Sequence, residues 1–294
     1  MNVARSPLVP DPSARPWQRR LPPPALTRYV DNFLFMEMPA GGALPRVLPG
    51  TGALCLFLYR APLAVAELHA AREHSMSQSF VMVNRHEVLD LSTAGATECV
   101  VISFRPGRLR YFVPTSFEEL QDHLTPAVDL WGSRVDDVAE ALSRATDFDA
   151  RVDILSEFLS ARLHEEREAR LDRLLDQLYL TPTLRIAELA ESAGWSVRHF
   201  ERLFIGTYGV SPKYFARVAR LQQVARRLAL EPTCSPGTAA LDVGFFDQPH
   251  FIHELHKLAG LSPTDLAHGM RERPHFYNPK AIQRYVALLK TLSD

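Results

Sequence analysis

From Trp17 to about Trp131 the chain carries short apolar runs separated by Pro, Gly, Asn and Ser: LCLFLY at 54–59, SFVMVN at 79–84 and CVVISF at 99–104 are the clearest. Runs of this length, rich in Val, Leu and Phe and bounded by turn-forming residues, predict buried strands of a sandwich or barrel. After Gly132 the spacing changes. Val135, Val138, Ala139 and Leu142, then Val152, Leu155, Phe158, Leu159 and Leu163, recur every three or four positions and predict helices. The charged stretch HEEREAR at 164–170 is read as a hinge or a solvated helix face, and the pattern beyond it is helical to the end. The expected class is therefore a multidomain α+β protein. Its predicted parts are a disordered segment 1–15, a β-rich domain 16–132, a helical linker 133–169, an all-α domain 170–270 and a helical tail 271–294.

Within the helical half, GWSVRHFERLFIGTYGVSP (194–212) returns as GFFDQPHFIHELHKLAGLSP (244–263), with one extra residue before the shared His-Phe pair. Each copy has a small residue four positions before its first glycine (Ala190 and Gly194, Ala240 and Gly244) and a closing Gly nine positions after the central Phe, Phe200 to Gly209 and Phe251 to Gly260. These are the requirements of a helix-turn-helix, in which a small residue lets two helices approach and a glycine accepts positive φ in the turn. Ser196 and Asp247 suit the N-cap of each second helix, because their side-chain oxygens can accept from free first-turn amides. The wheel puts Val197, Phe200, Phe204 and Tyr208 on the packing face of the first copy and Arg198, His199 and Arg202 outside. In the second copy Phe251, Leu255, Leu258 and Ala259 pack, while Gln248, His250, His253 and Lys257 face out.

Charge sharpens this only locally. The whole chain has 33 Lys plus Arg against 34 Asp plus Glu, net -1, and names no polyanionic partner. Between Ser196 and Leu230, however, seven cations (Arg198, Arg202, Lys213, Arg217, Arg220, Arg226 and Arg227) face one acid, Glu201. This excess is a phosphate footprint, and it nominates Lys213, Arg217 and Arg220 on the connecting helix as further DNA contacts. The composition, 46% hydrophobic and 23% charged, is that of an ordinary globular protein. Cys55, Cys99 and Cys234 form no CxxC pair and read as free thiols of a reducing cytoplasm.

With SVRHFERLF, GVSPKYFARVARLQQVARRL and GFFDQPHFIHELHKLAGLSP, residues 170–270 resemble the AraC/XylS family of transcription regulators. The resemblance implies two helix-turn-helix units joined by a long helix and double-stranded DNA as the partner. RVLPGTGALCLFL (46–58), SFRPGRLRYF (103–112) and LWG (130–132) resemble the cupin-like sensory domain of some members, which implies a small-molecule effector, a homodimer and contact with RNA polymerase as further partners. His253 stands where the family usually has an arginine, and Pro249 where a serine is common. The first unit is therefore expected to read bases and the second mainly to hold phosphates.

Catalytic signatures are missing: the chain has no HExxH, GxSxG, GxxxxGK[ST] or CxxC, and no cofactor is expected. His69, His74 and His86 lie near the strand region without a His-x-His pair, and they read as surface or satisfied histidines rather than metal ligands. Met36, Met38, Met76 and Met82 read as core filler. No stretch reaches the ~20 apolar residues of a membrane span, so a cytoplasmic address without membrane contact is expected. The rival readings are a cupin-like metal-dependent enzyme with an attached helical domain and an architectural DNA binder without effector.

Overall fold

The computed structural model describes residues 17–41, 47–67, 71–83, 86, 88–164, 169–231 and 233–272. The expected disordered segment 1–15, His69, most of the charged stretch at 164–170 and nearly all of the expected tail lie outside them. Strands β1 (Trp17–Arg20), β2 (Val30–Met38), β3 (Ala53–Leu58), β6 (Phe80–Val83), β8 (Thr97–Phe104) and β9 (Thr125–Pro126) build an antiparallel sheet in the order β1-β2-β8-β3-β6-β9. Strands β4 (Leu63–Glu67), β5 (Arg72–Met76) and β7 (Leu89–Ser92) build a second antiparallel sheet, β5-β4-β7.

The larger sheet is buried on both faces, which is why its strands read as continuous apolar runs rather than as alternation. Leu34, Met36, Leu56, Leu58, Phe80, Met82, Cys99 and Val101 meet Leu63, Val65, Leu89 and Leu91 of the smaller sheet. The intervening Phe33, Phe35, Cys55, Phe57, Val81, Val83, Val100 and Ile102 point the other way. That second face is covered by helices, among them α1 (Phe117–Leu120), α2 (Ala127–Trp131), α3 (Arg134–Arg144) and α4 (Phe148–Ser160). Helix α4 is N-capped by Asp147, whose carboxylate accepts from the Ala150 amide at 2.8 Å, and it lays Phe148 and Phe158 on Phe35 and Phe57 at 5.7 and 5.9 Å between ring centroids. Residues 133–160, expected as a linker, are thus a third layer of the amino-terminal domain. An apolar sheet face has to be covered, and the apolar stripe of α4 covers it.

Seven helices follow: α5 (Ala169–Leu180), α6 (Ile186–Ser192), α7 (Val197–Tyr208), α8 (Pro212–Leu230), α9 (Pro236–Asp242), α10 (Gln248–Ala259) and α11 (Pro263–Glu272). They do not form one self-contained core. Phe200, Phe204, Tyr208 and Phe215 belong to the same apolar cluster as the sheet and α4, with Leu175, Leu178, Leu189 and Ala190 between. Phe251, Leu255, Leu258, Leu266 and Met270 instead pack on Val218, Leu221, Val224 and Leu228 of α8. The first helical pair is therefore continuous with the amino-terminal core, and the second is built on the far side of α8.

A buried polar seam crosses this junction. Gly107, at φ +70°, turns β8 into a 3-10 turn at Arg108–Tyr111, and a Cβ there would lie 2.5 Å from the Tyr208 ring. Asp172 of α5, 2% exposed, accepts from Arg110 at 2.7 Å, from the Tyr208 hydroxyl at 2.8 Å and from the Tyr111 hydroxyl, and pairs with Arg108 at 3.1 Å. Arg108 also donates to Asp176 at 2.6 Å. Burial pushes the Asp172 carboxyl up, but Arg108, Arg110 and the two tyrosine hydroxyls outweigh it and hold the group below the usual carboxylate range. Burial first, then the bond to Asp172, pushes the Tyr111 phenol up to about 12.

Removing one partner of such a network leaves charges buried without compensation, at a cost of about 3 to 5 kcal/mol. Asp172→Asn should lower the unfolding free energy at pH 7 by about 3 kcal/mol, measured by urea denaturation. Because the folded pKa is depressed, the stabilisation is complete above the unfolded value of about 3.9 and is lost as pH falls through the folded value. The gap between variant and wild type should therefore narrow in acid.

Candidate nucleic-acid interface

The two helix pairs, α6 with α7 and α9 with α10, repeat one another bond for bond. The Ala190 carbonyl accepts from the amides of Ala193 and Trp195 at 3.1 and 2.9 Å, and the Ala240 carbonyl from Val243 and Phe245 at 3.3 and 3.1 Å. The Gly194 amide donates to Glu191, and Gly244 to Leu241, at 2.8 and 3.0 Å. Ala190 and Ala240 are both fully buried, and Gly194 and Gly244 sit at φ +69° and +89°. Ser196 and Asp247 cap α7 and α10, accepting from the amides of His199 at 3.2 Å and His250 at 2.8 Å. Both helices end on a left-handed glycine, Gly209 or Gly260. These bonds pair Trp195 with Phe245 and Ser196 with Asp247, so the extra residue of the second copy is Phe246, whose side chain stands 87% exposed.

On α7 the core takes Phe200, Phe204 and Tyr208, while Arg198, Glu201 and Arg202 are exposed and His199, half-buried, lies against Trp195. Val197, expected to pack, is instead 40% exposed, because it is the first residue of the helix and precedes the turn that meets the core. Arg202 donates to His199 Nδ1 at 3.1 Å. On α10, Phe251, Leu255, Leu258 and Ala259 are buried, and Gln248, Pro249, Ile252, His253, His256 and Lys257 are exposed. His250, expected to face out, is half-buried with its ring 5.5 Å from Phe245.

The seven cations counted between Ser196 and Leu230 divide into two groups in three dimensions. Arg217 is clamped to Glu254 of α10 at 2.5 and 3.2 Å, and Arg220 lies over the Phe245 ring at 5.3 Å, its guanidinium pKa lowered by burial. Arg226 donates to the Tyr179 hydroxyl at 3.0 Å, and Arg227 pairs with Asp242 at 2.7 Å. Four of the seven cations thus hold the helices together, and Arg198, Arg202 and Lys213 remain exposed. The carboxylate of α10 is spent in the same way: Glu254, whose pKa Arg217 lowers against the effect of burial, turns inward and leaves the outer face of α10 without an acid. His256 and Ile252 were not singled out from the sequence, although their helical spacing from His253 and Pro249 places them on the same side.

The amino-terminal histidines are not gathered into a site. His74 bonds Glu67 at 2.9 Å and His86 bonds Asp122, and among the described residues no group of three or more His, Cys, Asp or Glu side chains could hold a metal ion. Cys55 and Cys99 are buried thiols pushed upward, Cys99 to about 12, so neither is poised as a thiolate. Among the described residues no helix is long and apolar enough to cross a membrane.

Two helix-turn-helix units with matching turn and cap bonds follow a β-rich domain, the arrangement of a double helix-turn-helix protein. Residues 189–268 match a family model described as a helix-turn-helix domain. The virulence regulon transcriptional activator VirF of Yersinia enterocolitica and the thermoregulatory protein LcrF of Yersinia pestis are each 28% identical to the chain over 109 residues. That stretch is 36% of this chain and 40% of each relative, so the chain spans less than half the length of the curated relatives it matches. A structure of ToxT from Vibrio cholerae, bound to an unsaturated fatty acid, has the same overall fold at a TM-score of 0.50 and 10% identity, over 80% of this chain and 94% of that one. Residues 189–268 of the chain are thus similar to a helix-turn-helix family, and the likeness in fold extends to the part before them. The chain's β-rich, cupin-like amino-terminal domain and helical carboxy-terminal domain are arranged as in that fold.

The two turn glycines make a graded test. An added Cβ at Gly194 meets nothing within 4 Å, whereas at Gly244 it would lie 2.2 Å from Thr183 Cγ2. Gly194→Ala should therefore cost about 1 to 2 kcal/mol from its left-handed backbone, and Gly244→Ala measurably more. Thr183→Ser, which removes that methyl, should bring Gly244→Ala back to the cost of Gly194→Ala in thermal unfolding.

Proposed function

We propose that this protein is a sequence-specific DNA-binding transcription regulator. The observation that carries this reading is the repeated helix-turn-helix with two exposed helix faces, one bearing Arg198 and Arg202 and the other Lys257, His253 and His256. An arginine can make a bidentate contact to guanine O6 and N7, which discriminates by about 1 to 3 kcal/mol, so α7 reads bases by hydrogen bonding. Lys213 and Lys257 serve phosphates, as does Gln248 from the first turn of α10. The DNA-contact set is thus Arg198, Arg202, Lys213, Gln248, His253 and Lys257, with His199 and His250 behind it. Arg217 and Arg220 set the angle between α8 and α10.

The amino-terminal domain is the regulatory half. Its two sheets pack together through Leu, Val, Phe80 and Met36, Met38 and Met82, an apolar core whose methionines can rearrange around an apolar small molecule. The fatty acid held by ToxT supports an effector of that chemistry. RNA polymerase contact and pairing of two copies extend the same reading.

Selection from a random duplex pool with the full chain tests it. Binding should weaken steeply with salt, with a slope in log K near -0.9 per neutralised phosphate. Arg202→Ala should relax sequence preference at one or two positions, and Lys257→Ala should weaken all sequences about equally and reduce the slope by about one. Absence of any DNA selection at low salt would refute the proposal. A long-chain unsaturated fatty acid should raise the melting temperature in proportion to the logarithm of its concentration if the apolar interior admits it.

A further inference from the structure

The two reading helices occupy equivalent places, yet their outer faces differ in kind. Phe200 and Phe251 are equivalent, so a shift of 51 residues puts Pro249 where α7 has Arg198, Ile252 where it has Glu201 and His253 where it has Arg202. Pro249 and Ile252 stand one helical turn apart on one side of α10, with Ile252 41% exposed, and Phe246 is 87% exposed just before the helix. A shallow groove continues this apolar strip between α10 and the start of α11, lined by Pro249, Ile252, His253, His256, Leu261 and Pro263. Single exposed apolar residues are ordinary on a protein surface. Here, however, they replace charged residues at the positions that face outward in the sister helix, and they lie next to each other.

The surroundings of the strip select its occupant. Its flanks are His253, His256 and Lys257, and the one carboxylate of α10, Glu254, is turned inward onto Arg217. An apolar strip bordered on α10 by Lys257 and two imidazoles, with Asp265 engaged by Ser262 at the far edge of the groove, suits a polyanion that itself carries methyl groups. In the DNA major groove each thymine presents a C5 methyl beside its O4 acceptor, and aliphatic side chains recognise it by contact.

We infer that the second helix-turn-helix unit recognises thymine methyl groups through Ile252 and Pro249, with Phe246 extending the contact, while Lys257 and the histidines hold the adjacent phosphates. The two units therefore read by different chemistry: the first by hydrogen bonds, the second by shape and apolar contact. This rests on the DNA-binding reading above.

The test uses the full chain and the duplex selected from the random pool, with each thymine replaced singly by deoxyuridine, which removes the methyl and nothing else. Wild-type protein should lose about fourfold in affinity at one or two thymines, the factor expected for one buried methyl group. Ile252→Ala should be indifferent to the same replacement at one of them, whereas Arg202→Ala should remain sensitive. Uniform indifference of wild-type protein to uracil, or equal sensitivity in wild type, Ile252→Ala and Pro249→Ala, overturns the inference and leaves the DNA-binding reading intact. Ile252→Ala that binds and discriminates normally but fails to support transcription in a reconstituted reaction also overturns it and assigns the strip to a protein partner. A chain that selects no DNA sequence overturns the regulator reading itself, and this inference with it.

Discussion

Asp172 is a carboxylate kept ionised at the point where three parts of the chain meet: the turn after β8, helix α5 and the end of the first reading helix. Two guanidiniums and two phenols converge on it, and each comes from an element that would otherwise be free to shift. A salt bridge of this kind contributes little net stability compared with a well-packed apolar substitute. It is demanding in direction, however, because every donor must point at the same two oxygens. The placement of α7 relative to the sheets is therefore fixed in direction by these hydrogen bonds as well as by the aromatic core the two parts share.

That dependence gives the two helical pairs different standing. The first pair shares its aromatic core with the amino-terminal domain, and Gly209, which closes α7, packs within 3.0 Å of the Phe117 backbone for any added Cβ. The second pair contacts that domain mainly through α8, where Leu48 and Val88 join Val218 and Leu221, and Thr51 donates to Gln222 at 2.8 Å. A change in the sheets reaches the first unit directly and the second through one helix. In the regulator reading, an effector would act on the hydrogen-bonding unit before the apolar one.

Much of the helical domain was legible in the sequence because its turns require particular atoms. Ala190 and Ala240 had to be small, Gly194 and Gly244 had to accept positive φ, and Ser196 and Asp247 had to cap. The strands were legible as buried runs, but the assignment of each residue to one face or the other was not, since a sheet covered on both sides carries no alternating signal. Over 133–169 helical periodicity reveals an apolar stripe without revealing what it covers, so the sequence alone suggests a linker there. Counting charges is ambiguous for a related reason: Arg217 and Arg220 look like Arg198 in sequence, and only Glu254 and the Phe245 ring, far along the chain, show that they also join helices.

Thr183, in the loop after α5, touches the turn of the second unit at Gly244, and α8 runs unbroken for 19 residues, about 28 Å, between the units. The pair of units therefore behaves as a gauge of fixed pitch. With about 10.5 base pairs per turn of duplex, each base pair inserted between the two recognised segments rotates one of them by about 34° away from its helix. In the regulator reading, a protein built this way would have to twist the duplex to follow such a change, so its operators would be constrained in spacing as tightly as in sequence.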